Sequence, residues 1–305
     1  MTKEISQNIL KELLGLLSLE QIEEDIFRGQ SQDLGYGNVF GGQVLGQALS
    51  AASRTVPDNL GAHSLHGYFI RAGDASCPIV YMVERTRDGH SFTTRRVKAV
   101  QKGRTIFSMS ASFHKFEQGF EHQDPMPDVP GPEGLESDYD MIERYAKKIP
   151  EDIAKKLLYQ KPIELRVVNP VDPFHPAPMP PDKYVWLRTT GPLPDDVAIH
   201  RYMLAYASDF HLVPTALYPH AKTFWSGDMQ VASLDHCIWF HRDFRMDDWL
   251  LHVIHSPSAA RARGLNFGSI YTRDGKLVAS VAQEGLIRRL DKNLDKNLDK
   301  KLGRL

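Results

Sequence analysis

The chain of 305 residues has room for one large domain or two of ordinary size, and its 42% apolar and 25% charged residues are ordinary for a soluble globular protein. A net charge of -1 argues against the broad basic surface that nucleic-acid binding requires. Only two cysteines occur, Cys77 and Cys237, which excludes a disulfide framework or a cysteine metal cluster and fits a reducing, cytoplasmic setting.

The first seventeen residues read as an amphipathic helix with Ile5, Ile9, Leu13, Leu16 and Leu17 on its buried side. Lys11 and Glu12 break its apolar run, and no small-residue cleavage site follows, so it is not a signal peptide. No segment approaches the roughly 18 uninterrupted apolar residues of a membrane span. A strand is expected over 21–30, a glycine-rich loop over 34–38, and then a helix over 39–52 built from small and apolar residues nearly all round. In that helix Gly42 and Gly46 lie one turn apart and admit a second backbone, whereas no Lys-Ser/Thr pair follows to make a phosphate loop. Strands are expected over 63–71, 79–87, 92–101 and 104–113, with turns at Asp88-Gly89 and Lys102-Gly103.

Twelve of the 19 prolines fall between Pro125 and Pro181, which marks a connector. Within it, 139–159 has helical periodicity and 163–168 suits a strand. The second half then repeats the first: a helix over 195–208, with Asp195 or Asp196 as its N-cap, followed by strands over 229–242, 249–256, 261–272 and 276–288. The divisions are an N-terminal repeat with its leading helix (1–115), a proline-rich connector (116–183), a C-terminal repeat (184–289) and a low-complexity tail (290–305) whose leucines recur every fourth residue.

A duplicated fold contains its own control, because what one copy carries and the other lacks is not demanded by the fold. Eight positions after the turn glycine of the last strand stands Gln283 in the second copy but Ala111 in the first. Asp209 closes the second helix, where the macrodipole disfavours a carboxylate by roughly 0.3 to 1 kcal/mol, while the first helix ends in Arg54. Strict alternation over 229–242 places Ser233, Asp235, Cys237 and Trp239 on one face and Leu234, His236, Ile238 and Phe240 on the other. Buried polar groups on such a strand cost roughly 1 to 3 kcal/mol each unless bonded. Each residue alone has an ordinary explanation: Asp209 pairing with a base, Ser233 bonding within the sheet, Gln283 meeting a carbonyl. The histidine pairs His63/His66, His236/His241 and His252/His255 lack metal-site spacing and read as packing or surface residues.

The segments Phe27-Arg-Gly-Gln-Ser, Val39-Phe-Gly-Gly-Gln-Val, Tyr206-Ala-Ser-Asp, Ile238-Trp-Phe-His-Arg and Val281-Ala-Gln-Glu-Gly resemble the acyl-CoA thioesterase II family, from about Leu13 to Arg288. The resemblance implies an α+β double hotdog, two tandem repeats that each wrap an antiparallel sheet around a central helix. It implies hydrolysis of acyl-CoA to fatty acid and CoA without a cofactor or metal, by homodimers or homotetramers. Asp209, Ser233 and Gln283 match the family's water-positioning set, with serine where the bacterial pattern has threonine. Ser233 is not expected to be a covalent nucleophile, since there is no G-x-S-x-G elbow and alternation turns His236 to the opposite face. Backbone N–H groups at Gly41 and Gly42 are candidates for the oxyanion. Arg261 and Arg263 are candidates for the CoA phosphates, weighed against the arginines that edge strands carry for solubility alone. A hotdog hydratase or dehydratase is the rival enzyme, though those use Asp/His or His/Glu pairs; an acyl-CoA sensor without turnover is the rival binding protein.

Overall fold

The computed structural model describes residues 3–290 except 35–36, 149–150, 152–153, 155–157 and 159–161, with side chains from residue 8 onward. Helix α1 (Lys3–Leu17) buries Ile9, Leu10, Leu13 and Leu17; the Ile5 side chain falls outside the described residues, as does the tail beyond Leu290. The strand expected over 21–30 is two short ones, β1 (Glu20–Glu23) and β2 (Ile26–Gly29), because Asp25 at φ 63° turns the chain back on itself. Then follow α2 (Gly41–Ser53), β3 (Leu60–Phe69), β4 (Ile79–Asp88), β5 (Phe92–Gln101) and β6 (Arg104–Lys115). In the connector, α3 (Asp138–Tyr145) starts at a Ser137/Asp140 capping box. Most of the expected helix beyond residue 148 lies outside the described residues.

The second half runs β7 (Ile163–Val167), β8 (Asp182–Thr189), α4 (Val197–Ala207), α5 (Leu212–Thr215), β9 (Met229–Ser233), β10 (Asp235–Phe240), β11 (Leu250–Ala260), β12 (Arg263–Thr272) and β13 (Leu277–Arg289). Strand β7 therefore lies inside the stretch read as connector, and β8 begins at its end; both pair into the second half's sheet.

The order is β1-β2-β4-β5-β6-β3-β10-β13-β12-β11-β8-β7, with β9 on β13, all antiparallel. Read from either edge the sequence of roles is the same, so the sheet is two copies of one motif joined edge to edge at β3 and β10. The seam pairs Tyr68 with Asp235, His66 with Cys237 and Ser64 with Trp239. Joining there removes two exposed edges and makes one continuous core from both halves.

Inside lie α2 and α4. Every residue of α2 from Gly42 to Ala52 is buried. Its glutamines are tied down: Gln47 Nε2 donates to Leu16 O (2.7 Å) and Gln30 O (2.9 Å), and Gln47 Oε1 accepts the Tyr81 hydroxyl (2.6 Å). The helices run antiparallel in backbone contact, since a Cβ on Gly42 would collide with Tyr206 O and one on Gly46 would stand 3.1 Å from Tyr202 O. The start of α2 is thereby pressed against the end of α4. Gly42→Ala is expected to force the helices apart and lower stability by about 1–3 kcal/mol, measured as a reduced denaturation midpoint.

Candidate active site

Asp209, two residues past the end of α4, lies at the helix junction with a side chain only 5% exposed. Its Oδ1 accepts Gln283 Nε2 at 2.6 Å and, at the outer limit of a hydrogen bond, Ser233 Oγ at 3.4 Å. The carboxylate also accepts the backbone N–H of Gly42, while Oδ2 would be 2.6 Å from a Cβ on Gly41. The end of its own helix repels it, but the open N–H groups of the other repeat's helix offset that. Burial raises the Asp209 pKa above the ordinary aspartate value, opposed by the bonds from Gln283, Gly42 and Ser233. Gly42 is thus a partner of Asp209 rather than a free oxyanion donor.

The expected alternation along 229–242 fails at Leu234. Ser233 stands opposite Gly285 and Cys237 opposite Ala282, so four steps along β9–β10 face three along β13. Such a β-bulge inserts one residue and exchanges the faces beyond it. Leu234 N–H bonds Glu284 O (2.9 Å), its carbonyl turns to Phe69 N–H (2.9 Å), and Asp235 Oδ1 accepts the Glu284 N–H (2.7 Å). Asp235 therefore holds the bulge. The consequence is a correction: His236 shares the inner face with Ser233 instead of opposing it. Its Nδ1 lies 3.1 Å from Gln283 Nε2 and 3.7 Å from Asp209 Oδ1, and its Nε2 lies 3.0 Å from Ser208 Oγ. Complete burial pushes its pKa down to about 3, so the ring is neutral and the Asp209 contact is not an ion pair.

A second polar group fixes the loop after Asp209. His211 adopts the left-handed conformation (φ 67°), which costs a residue other than glycine about 1 kcal/mol or more. Lys183 Nζ on β8 donates to its Nδ1 (2.7 Å), and its Nε2 bonds Asp138 Oδ2 (3.0 Å) at the start of α3. Connector and site loop are locked together by side chains that patterning does not connect. Of the proposed phosphate-binding pair, Arg263 is held by Glu284 (2.8 Å), whereas Arg261 occupies the exposed left-handed turn Arg261–Ala262 between β11 and β12.

Two family models match in tandem: the acyl-CoA thioesterase N-terminal domain over residues 30–114 and acyl-CoA thioesterase over 155–286. Acyl-CoA thioesterase 2 of Haemophilus influenzae is 46% identical over 281 residues, covering 92% of this chain and 98% of its own length. The chain belongs to the acyl-CoA thioesterase II family. Among solved structures, acyl-CoA thioesterase II TesB2 of Mycobacterium marinum superposes with a TM-score of 0.74 at 43% identity, covering 91% of this chain and 98% of that one. A hot dog fold protein of unknown function from Alicyclobacillus acidocaldarius, 20% identical with a TM-score of 0.73, covers 92% of this chain and 99% of its own and shares the fold. The two joined repeats are a double hotdog.

Within this family frame, the Gly41 position has a specific consequence. Ala at 41 suits a helix start, yet its Cβ would displace the Asp209 carboxylate and the Phe69 ring, 2.9 Å away. Gly41→Ala is expected to lower kcat for acyl-CoA hydrolysis about 10²-fold and to cost about 1–3 kcal/mol of stability, read from the denaturation midpoint.

Proposed function

We infer that the protein hydrolyses acyl-CoA thioesters to free fatty acid and CoA by direct attack of water, with Asp209 as general base. The observation that carries this reading is a buried carboxylate of raised pKa held between the Gln283 amide, the Ser233 hydroxyl and the start of α2. A desolvated carboxylate is a stronger base than a solvated one, and base assistance is worth roughly 10² to 10⁴ in rate.

In the proposed reaction Asp209 takes a proton from water as the water oxygen bonds to the thioester carbonyl carbon. Ser233 Oγ and Gln283 orient that water; Gln283 Oε1 is buried without a partner among the described residues, which supports an acceptor role toward it. The carbonyl electrons move onto oxygen, and with Gly42 bonded to Asp209 the Gly41 N–H is the proposed oxyanion donor. Collapse breaks the carbon–sulfur bond, and the proton on Asp209 passes to the departing thiolate. Ser233 orients rather than attacks, since the only groups on it are the carboxylate and the sheet, with no histidine bonded to its hydroxyl among the described residues.

Arg261 is assigned to the CoA phosphates because it is exposed on a turn, while Arg263 is engaged by Glu284 and supports that turn. A reducing cytoplasmic setting is proposed from the two free cysteines; no helix among the described residues is long and apolar enough to cross a membrane. Assembly into homodimers or homotetramers is proposed on the outer face of the central strands, where Tyr68, Trp239 and Phe267 are exposed.

Incubation with acyl-CoAs is expected to release free thiol. Asp209→Asn, which removes the base but keeps the side-chain shape, is expected to remain folded and lose about 10² to 10⁴ in kcat. Near-parental turnover in that variant, or saturable binding of substrate by the parent without thiol release, contradicts the reading. The base must be ionised, so the acid limb of kcat/KM is expected at a pH above the ordinary aspartate range and to vanish in Asp209→Asn. Arg261→Ala is expected to raise KM for acyl-CoA with little change in kcat, an effect that shrinks as salt is added.

A further inference from the structure

Gln283 serves Asp209 only while its amide keeps one orientation. An ionised carboxylate accepts hydrogen bonds and donates none, so the group 2.6 Å from Asp209 Oδ1 has to be the amide nitrogen. An amide on a strand can rotate by half a turn at little steric cost, which would set oxygen against oxygen. A second contact is needed to forbid that state.

We infer that His236 is a positioning residue that sets the Gln283 amide, with its ring in the single tautomer that carries hydrogen on Nε2. This inference rests on Asp209 and Gln283 forming the hydrolytic site. The amide nitrogen has two hydrogens, one directed to Asp209 Oδ1 and the other to His236 Nδ1 at 3.1 Å. Nδ1 is then an acceptor, and the ring proton sits on Nε2, facing Ser208 Oγ at 3.0 Å. Ser208 passes its own hydrogen to Ala205 O at 3.2 Å, in the last turn of α4. The hydrogens thus point outward from the Gln283 amide, one to Asp209 and the other, through His236 and Ser208, to Ala205 O, and at each step a donor faces an acceptor. It also ties Gln283 to the residue just before Asp209, fixing the gap between β13 and the end of α4.

The platform beneath the ring is rigid. Strand β10 is paired on both sides, to β3 and to β13, and His236 is completely buried. Burial keeps the ring neutral, with a pKa pushed to about 3. A charged ring would donate from Nδ1, expel the amide hydrogen and bind Asp209 directly across 3.7 Å, removing its basicity.

Two isosteric replacements separate the two ends of the ring. Asn at 236 places an acceptor near Nδ1 and abandons Ser208; Gln reaches toward Nε2 and Ser208 and abandons Nδ1. The expected result is that His236→Asn keeps kcat within about 10-fold of the parent, while His236→Gln loses about 10² or more, both with KM little changed. A role confined to packing or to bracing Ser208 reverses or abolishes that order. In the parent enzyme, ¹⁵N NMR of the His236 ring, assigned by its loss in the Asn variant, is expected to report a neutral ring protonated on Nε2 from pH 5 to 8. A hydrogen on Nδ1, or a Gln variant as active as the Asn variant, overturns the inference even if either protein is destabilised. Gln283→Ala distinguishes the levels: parental kcat in that variant overturns the hydrolytic reading and this inference together, whereas loss of kcat there with equal Asn and Gln variants overturns this inference alone.

Discussion

A carboxylate shielded from water at the meeting point of two helix ends is the constraint on which the rest of the site depends. Asp209 follows α4, whose terminal carbonyls repel it, and tolerates burial because the Gly42 N–H at the start of the antiparallel α2 comes from the other repeat to meet it. That approach requires backbone-to-backbone contact of the helices, which glycine at 42 allows and glycine at 46 eases. The site therefore needs both halves, although its side chains come from one. The Gln283 amide supplies a further donor at 2.6 Å, and the remaining desolvation appears as a raised pKa, the property a base requires.

The two repeats carry different residues at matching positions, so among the described residues the proposed centre lies in the second repeat. Position 111 in β6 matches Gln283 in β13 by distance from the turn, and its alanine is buried in the core with Met109 and Phe113 on the same face. Ser233 and His236 reach one face because the ladder slips by one residue at Leu234, and Asp235 holds the slip by bonding the Glu284 N–H. In β3 the seam partner is Phe69, whose amide bonds Leu234 O and so clamps the bulge from the first repeat. The first repeat supplies the start of α2, and the second carries Asp209, Ser233, His236 and Gln283.

Much of the fold was legible in the pattern. Alternation between turn glycines marks β4, β5, β6, β12 and β13, and the small-residue run marks α2, because each signal is local. Strand β8 was hidden by the prolines that run up to Pro181, and β7 was assigned to the connector because nothing local reveals its partner. Comparing repeats isolates Asp209 and Gln283 as residues the fold does not demand. Alternation along 229–242, by contrast, turns His236 away from Ser233, since it assumes an unbroken ladder and a bulge leaves no mark in composition. The Gly42 contact and the Lys183–His211–Asp138 lock join distant segments and emerge only from tertiary packing.

The central claim is that Asp209 acts on water and never bonds to the acyl group. A single turnover with enzyme in excess over acyl-CoA in ¹⁸O-water tests it most directly. The account predicts one solvent oxygen in the fatty acid released in that first turnover and no label in the peptide containing Asp209. Unlabelled acid from the first turnover, with ¹⁸O appearing in the Asp209 carboxylate, would show an acyl-aspartyl intermediate and contradict it.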